Sequence, residues 1–139
     1  MKPAARRKAR RLAIQAVYSW QINDGSITDT EAHFLTDANA EKVDLAYFQD
    51  LLRGVAQQTS VLDNALSPHT ARPFAELDQI ERAILRVAAY ELKARPDVPY
   101  KVIMNEAIEL AKAFGADDSH RFVNGVLDKA VDGLRDTRL

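Results

Sequence analysis

DQIERAILRVAAYELKARP, residues 78–96, is the stretch whose periodicity decides the fold class. Ile80, Ala83, Ile84, Val87, Ala88 and Leu92 recur at spacings of three and four, which a 3.6-residue helix gathers into one apolar stripe. Asp78 followed three residues later by Glu81 is a helix-start signature, and Pro96 stops the segment because it lacks the N–H a further turn needs. A strand would need alternation, and none is present.

The same pattern repeats outward. Downstream, Pro99 suits the first turn of a helix that turns Tyr100, Ile103, Ala107, Leu110, Ala111 and Phe114 inward and ends before Gly115. A last helix starts at Asp117, Asp118 or Ser119 and buries Val123, Val126, Leu127, Ala130, Val131 and Leu134. Its Gly125 costs helix stability by about 1 kcal/mol relative to alanine, so either another helix backbone approaches it closely or backbone is exposed to a ligand. Upstream, SPHTARPFA (67–75) holds Pro68 and Pro73 and marks the joint between two halves of one domain. Before it, Asp44 caps a helix carrying Leu45, Phe48, Leu51, Leu52, Val55, Leu62 and Leu66, interrupted near Thr59 and Ser60. Thr28 and Glu31 give a capping box for a shorter helix that turns Phe34, Leu35 and Ala38 inward. In the first helix Ala9, Leu12, Ala13, Ala16, Val17 and Trp20 form the buried stripe, with Arg7, Arg10, Arg11, Ile14 and Tyr18 on another. These readings predict an all-α single domain spanning residues 1–139.

Composition excludes several functions. The chain has no cysteine, which removes disulfides, thiolate zinc sites and cysteine nucleophiles together. No apolar run reaches the roughly 20 residues that span a bilayer, and the start carries no secretory pattern, so a cytoplasmic location is expected. His33, His69 and His120 show no paired ligand spacing. Asp117 and His120 share a helical face, but a bundle metal site needs further carboxylates. None of the five glycines builds a phosphate loop, and no serine sits in a nucleophile elbow. Glu106, Glu109 and Lys112 read as surface ion pairs. The expectation is no catalysis, no metal and no cofactor.

Charge is distributed unevenly. The formal net charge is −1, yet residues 1–23 carry six cations (Lys2, Arg6, Arg7, Lys8, Arg10, Arg11) and no acid, while the remainder carries thirteen cations and twenty acids. Such polarity points to an anionic partner at the basic end, nucleic acid or an anionic membrane surface. A solubilising tail or a targeting segment is the plainer reading, but this arm runs straight into a helix with core-spaced Leu12, Val17 and Trp20. Cations at a helix N-terminus oppose the macrodipole, so residues 1–11 are expected to be partly flexible and to order on phosphates. Tyr18 follows the arm as either a base-stacking residue or a core-rim tyrosine.

ARRLAIQAVYSWQ, ERAILRVAAYEL and above all VPYKVIMNEAIELAKAFGADDSHRFVNGVLDK resemble the NusB family of bacterial transcription antitermination factors, in its proteobacterial form, over essentially the whole chain. The resemblance implies two packed three-helix bundles. It also implies pairing with NusE, a small-subunit ribosomal protein, and binding of single-stranded boxA RNA. That pair would join an RNA polymerase antitermination complex with other Nus factors, notably on ribosomal RNA operons. On matching positions, Lys2, Arg6, Arg7 and Arg10 would contact RNA, Phe122 would stack, and Phe114 and Asp118 would lie beside the RNA path. Tyr18, Ile80 and Glu81 match the NusE-facing side. The fold also resembles the N-terminal domain of certain ribosomal-RNA cytosine methyltransferases, but no methyl-donor domain or catalytic cysteine is in the sequence. A stand-alone binding factor is therefore the expectation, ahead of a methyltransferase targeting module or a membrane-surface adaptor.

Overall fold

Residues 78–96 form the central element of the molecule. The computed structural model describes residues 3–135. Among them lie seven α-helices and no strand: α1 (Pro3–Asn23), α2 (Ile27–Asp37), α3 (Leu45–Gln57), α4 (Thr59–Leu66), α5 (Gln79–Ala94), α6 (Tyr100–Phe114) and α7 (Ser119–Leu134). Short 3-10 turns at Ser67–His69 and Phe74–Glu76 make the joint marked by the two prolines. Helices α1–α3 form one bundle and α5–α7 the other, and α5 packs on α1, α3 and α4 as well as on α6 and α7.

That central position explains why α5 is buried more widely than its stripe predicts. Leu85, Ala89 and Tyr90 are buried along with Ile84, Val87, Ala88 and Leu92, because neighbours cover both sides. Asp78 caps the helix as expected, its carboxylate accepting from the Ile80 and Glu81 N–H groups. At the other end Arg135 satisfies the orphan carbonyls. Its guanidinium donates to Leu92 O at 2.8 Å and Arg95 O at 2.6 Å, and also to Glu91 O and Val98 O.

Local chemistry corrects two expectations and locates the expected interruption after Leu45–Gln57. The cap of α2 is Ser26, whose hydroxyl accepts from Asp29 N at 3.0 Å; Thr28 is already inside the helix, and Glu31 instead takes Arg53 at 2.6 and 2.8 Å. The break after α3 falls at Gln58, where φ −117° and ψ 22° leave the helical region and Thr59 Oγ1 donates back to Val55 O. Gly125 admits no close helix, since a Cβ there would meet nothing within 4 Å.

The glycines that packing requires are others. A Cβ on Gly54 of α3 would overlap the Tyr90 ring of α5, so the ring seats on bare backbone. A Cβ on Gly115 would lie 2.6 Å from Ser119 Cβ, which lets the chain turn tightly from α6 into α7.

Candidate nucleic-acid and partner interface

The arm, from Pro3 on, is the start of α1 and continues into it without a break. Acidic groups from other elements pair with it. Arg6 meets Asp97 at 3.3 Å and Asp44 at 3.9 Å, and Arg7 meets Glu106 at 2.9 Å. The Asp44 N–H also donates to Ala5 O at 3.2 Å, stitching α1 to the start of α3. These carboxylates offset the unfavourable pairing of cations with the helix N-terminus. Glu106 thus pairs with the arm, whereas Glu109 and Lys112 form the simple surface pair expected, at 3.5 Å.

Arg10 departs from the sequence reading. It is only 5% exposed, and its Nε donates at 2.8 Å to both oxygens of Glu91, itself 1% exposed; its Nη2 adds a 2.6 Å contact. The Tyr47 hydroxyl donates to the same carboxylate. Burial alone would push the Arg10 guanidinium down, but the hydrogen bonds and charge of Glu91 outweigh it and hold Arg10 above its ordinary value. Burial, followed by the Glu91 charge and hydrogen bond, pushes the Tyr47 hydroxyl well up. Arg10 is therefore a buried strut, not an exposed phosphate contact. Ile14, read as part of the exposed stripe, is buried one turn further on. Packing of α1 against both α3 and α5 buries this second face.

Around the Tyr47 ring stand three guanidiniums, Arg6 at 4.5 Å, Arg95 at 4.7 Å and Arg10 at 5.6 Å from its centroid. Arg95 also reaches Asp50 and Asp97, and its hydrogen bonds hold the Asp97 carboxyl below its usual range. Arg7, Lys8 and Arg11 remain exposed on the outer face, and the Arg11 guanidinium lies 4.8 Å from the Phe114 ring centroid. Lys2 lies outside the described residues.

Phe114 links the two sets of predicted contacts. An open groove of about 520 Å³ is lined by Gln15 and Tyr18 of α1, Asp78, Gln79 and Ile80 at the start of α5, and Phe114 and Ala116 after α6. Tyr18 is exposed and Ile80 half-buried, so the structure brings both onto this one surface beside the arm. Glu81 does not join them. It is 9% exposed and accepts from Ser119 Oγ at 2.7 Å, tying α5 to α7. Asp118 stands exposed at the start of α7 and makes no side-chain cap bond, and Phe122 is half-buried one turn on.

Sequence reasoning missed Glu91 and Tyr47, and named Arg11 only as one cation of the arm. Glu91 had a signal, since it continues the series Ile84, Val87, Ala88 on the apolar face of its helix, where an unpaired carboxylate is too costly to be accidental. Its partner on α1 falls on the matching series Arg10, Ala13, Ile14, Val17. Among the described residues no helix is long and apolar enough to cross a membrane.

Comparison with known proteins agrees with this geometry. The NusB family model matches residues 7–132. Transcription antitermination protein NusB of Idiomarina loihiensis is 65% identical over 138 residues, 99% of either chain, and that of Pseudoalteromonas translucida is 63% identical over 135 residues, 97% of this chain and 99% of the relative. The solved T. maritima NusB superposes with a TM-score of 0.80 at 29% identity, covering 95% of this chain and 93% of the other. A structure of antitermination factors NusB and NusE in complex with dsRNA shares the fold, with a TM-score of 0.82 at 20% identity over 95% of this chain and 99% of that one. With its helical pair of bundles, its basic first helix and relatives matched along its whole length, the chain belongs to the NusB family of transcription antitermination proteins.

Proposed function

We propose that this protein acts in the cytoplasm as a binding factor, not an enzyme, that pairs with NusE and engages single-stranded boxA RNA of nascent transcripts. The pair then joins an RNA polymerase assembly with other Nus factors and favours read-through, notably on ribosomal RNA operons. The observation that carries this reading is the outer face of α1, where Arg7, Lys8 and Arg11 are exposed and Arg11 lies against Phe114, a wall of the groove that also holds Tyr18 and Ile80. Cations supply phosphate affinity, aromatic faces take unpaired bases, and the groove offers a protein-facing wall next to them. Lys2, Arg6, Arg7, Phe114, Asp118 and Phe122 belong to the RNA side of this reading, and Tyr18 and Ile80 to the NusE side.

The test is binding of labelled boxA-like, scrambled and double-stranded RNA, with and without NusE, across salt. Three to five cations on single-stranded RNA give a log-log salt slope of about −2 to −3.5. Preference for boxA-like RNA should rise with NusE, because phosphate contacts carry little sequence information by themselves. Salt-independent binding, or equal affinity for scrambled RNA in the presence of NusE, would sink the reading.

A further inference from the structure

The cations of α1 divide by what surrounds them. Arg6 and Arg7 are held by carboxylates and Arg10 is buried against Glu91. Arg11 is exposed and makes no ion pair among the described residues; its guanidinium carbon lies 4.8 Å from the Phe114 ring centroid. A cation meant only to neutralise phosphate gains nothing from lying on an aromatic face. An exposed planar guanidinium set against a ring instead offers a flat surface of the kind on which unpaired bases stack. Lysine in the same place would keep the charge and lose the plane.

The position of the stack adds to the case. Phe114 is at once the backing for Arg11 and a wall of the groove that also holds Gln15 and Tyr18. Gln15 follows Arg11 by one helical turn, so Arg11 stands where the basic face of α1 meets the mouth of that groove. A strand whose phosphates follow Arg7 and Lys8 would bring a base to Arg11 next.

We propose that Arg11 stacks on one unpaired nucleobase of a single-stranded RNA laid along α1, with Phe114 as its backing, and so contributes affinity that depends on a base being present at that position. This rests on the RNA-binding reading of the arm. The role differs from phosphate neutralisation in what it predicts for lysine. Arg11→Lys should bind the boxA-like RNA about tenfold more weakly, within the range expected for one base stack, with its salt slope unchanged. Arg11→Ala should lose more affinity than Arg11→Lys and also reduce the slope by about 0.7, the share of one cation on single-stranded RNA.

The deciding experiment is a cycle between protein and RNA. Wild type and Arg11→Lys are titrated with a series of boxA-like oligonucleotides, each lacking one base. Wild type should lose about tenfold at one position, and Arg11→Lys should lose nothing further at that same position while responding normally elsewhere. Phe114→Leu, checked for an unchanged melting curve, should imitate Arg11→Lys at that position. Equal binding by wild type and Arg11→Lys, or losses that simply add at every position, would overturn the stacking role and leave the arm as an RNA contact. Failure of wild type to bind any single-stranded RNA would instead overturn the reading of the arm itself.

Discussion

Two glycines in helices show how differently one residue type can be used. Gly125 lies exposed in α7 with open space where a side chain would go and no positive φ. Alanine there removes only backbone freedom from the unfolded chain, so Gly125→Ala should stabilise the protein by about 1 kcal/mol. Gly54→Ala should do the reverse, because its Cβ would overlap the Tyr90 ring and force two packed helices apart; a loss of about 1–3 kcal/mol or more is expected. Urea-unfolding midpoints of the two variants settle both signs. An unchanged Gly54→Ala would mean that the seam between α3 and α5 is looser than the geometry indicates. The sequence singled out Gly125 and passed over Gly54, since a glycine's local cost is visible in the chain but the ring that needs its missing side chain is 36 residues away.

At the scale of elements, α1 is a helix with more buried surface than its apolar residues announce. Its apolar stripe was legible because Ala9, Ala13, Ala16 and Val17 repeat with the helical period. Arg10 and Glu91 were not, because each looks like an ordinary surface charge until α1 and α5 are laid together. Removing one member of such a pair strands the other in a dry interior, which costs about 3–5 kcal/mol. Arg10→Ala should therefore lower the melting temperature sharply. Arg7→Ala, taken from a side chain 63% exposed, should leave melting nearly unchanged and weaken RNA binding. The double replacement Arg10→Met with Glu91→Leu should regain part of the stability lost in Arg10→Ala, since it leaves no charge unpaired while the Tyr47 hydroxyl loses its acceptor. Thermal melts and RNA titrations on the same preparations separate the strut from the contact. A mild Arg10→Ala melt with strongly reduced RNA affinity would restore Arg10 to the binding surface.

For the whole molecule, the two bundles are joined by tyrosines that reach across the α3–α5 seam from opposite sides. Tyr47 of α3 donates to Glu91 of α5, and Tyr90 of α5 donates to Asp50 of α3 at 2.7 Å. Both bonds need the phenol protonated. Burial, then the Asp50 hydrogen bond and charge, push Tyr90 up to about 12, and burial with Glu91 raises Tyr47 as well. A folded-state pKa above the unfolded value of about 10 means that the native state holds its proton more tightly. The stabilisation is then complete below pH 10 and lost as pH rises through 10 toward 12. Urea midpoints measured from pH 8 to 11 should fall steeply above pH 10. Tyr90→Phe should cost about 1.5 kcal/mol at pH 8 through the lost charge-assisted bond and should flatten the alkaline fall. Tyr47→Phe should act in the same direction, and the double variant should show the shallowest slope of the four proteins. Parallel slopes for all four would mean that other groups govern alkaline unfolding and that the seam does not open through its tyrosines.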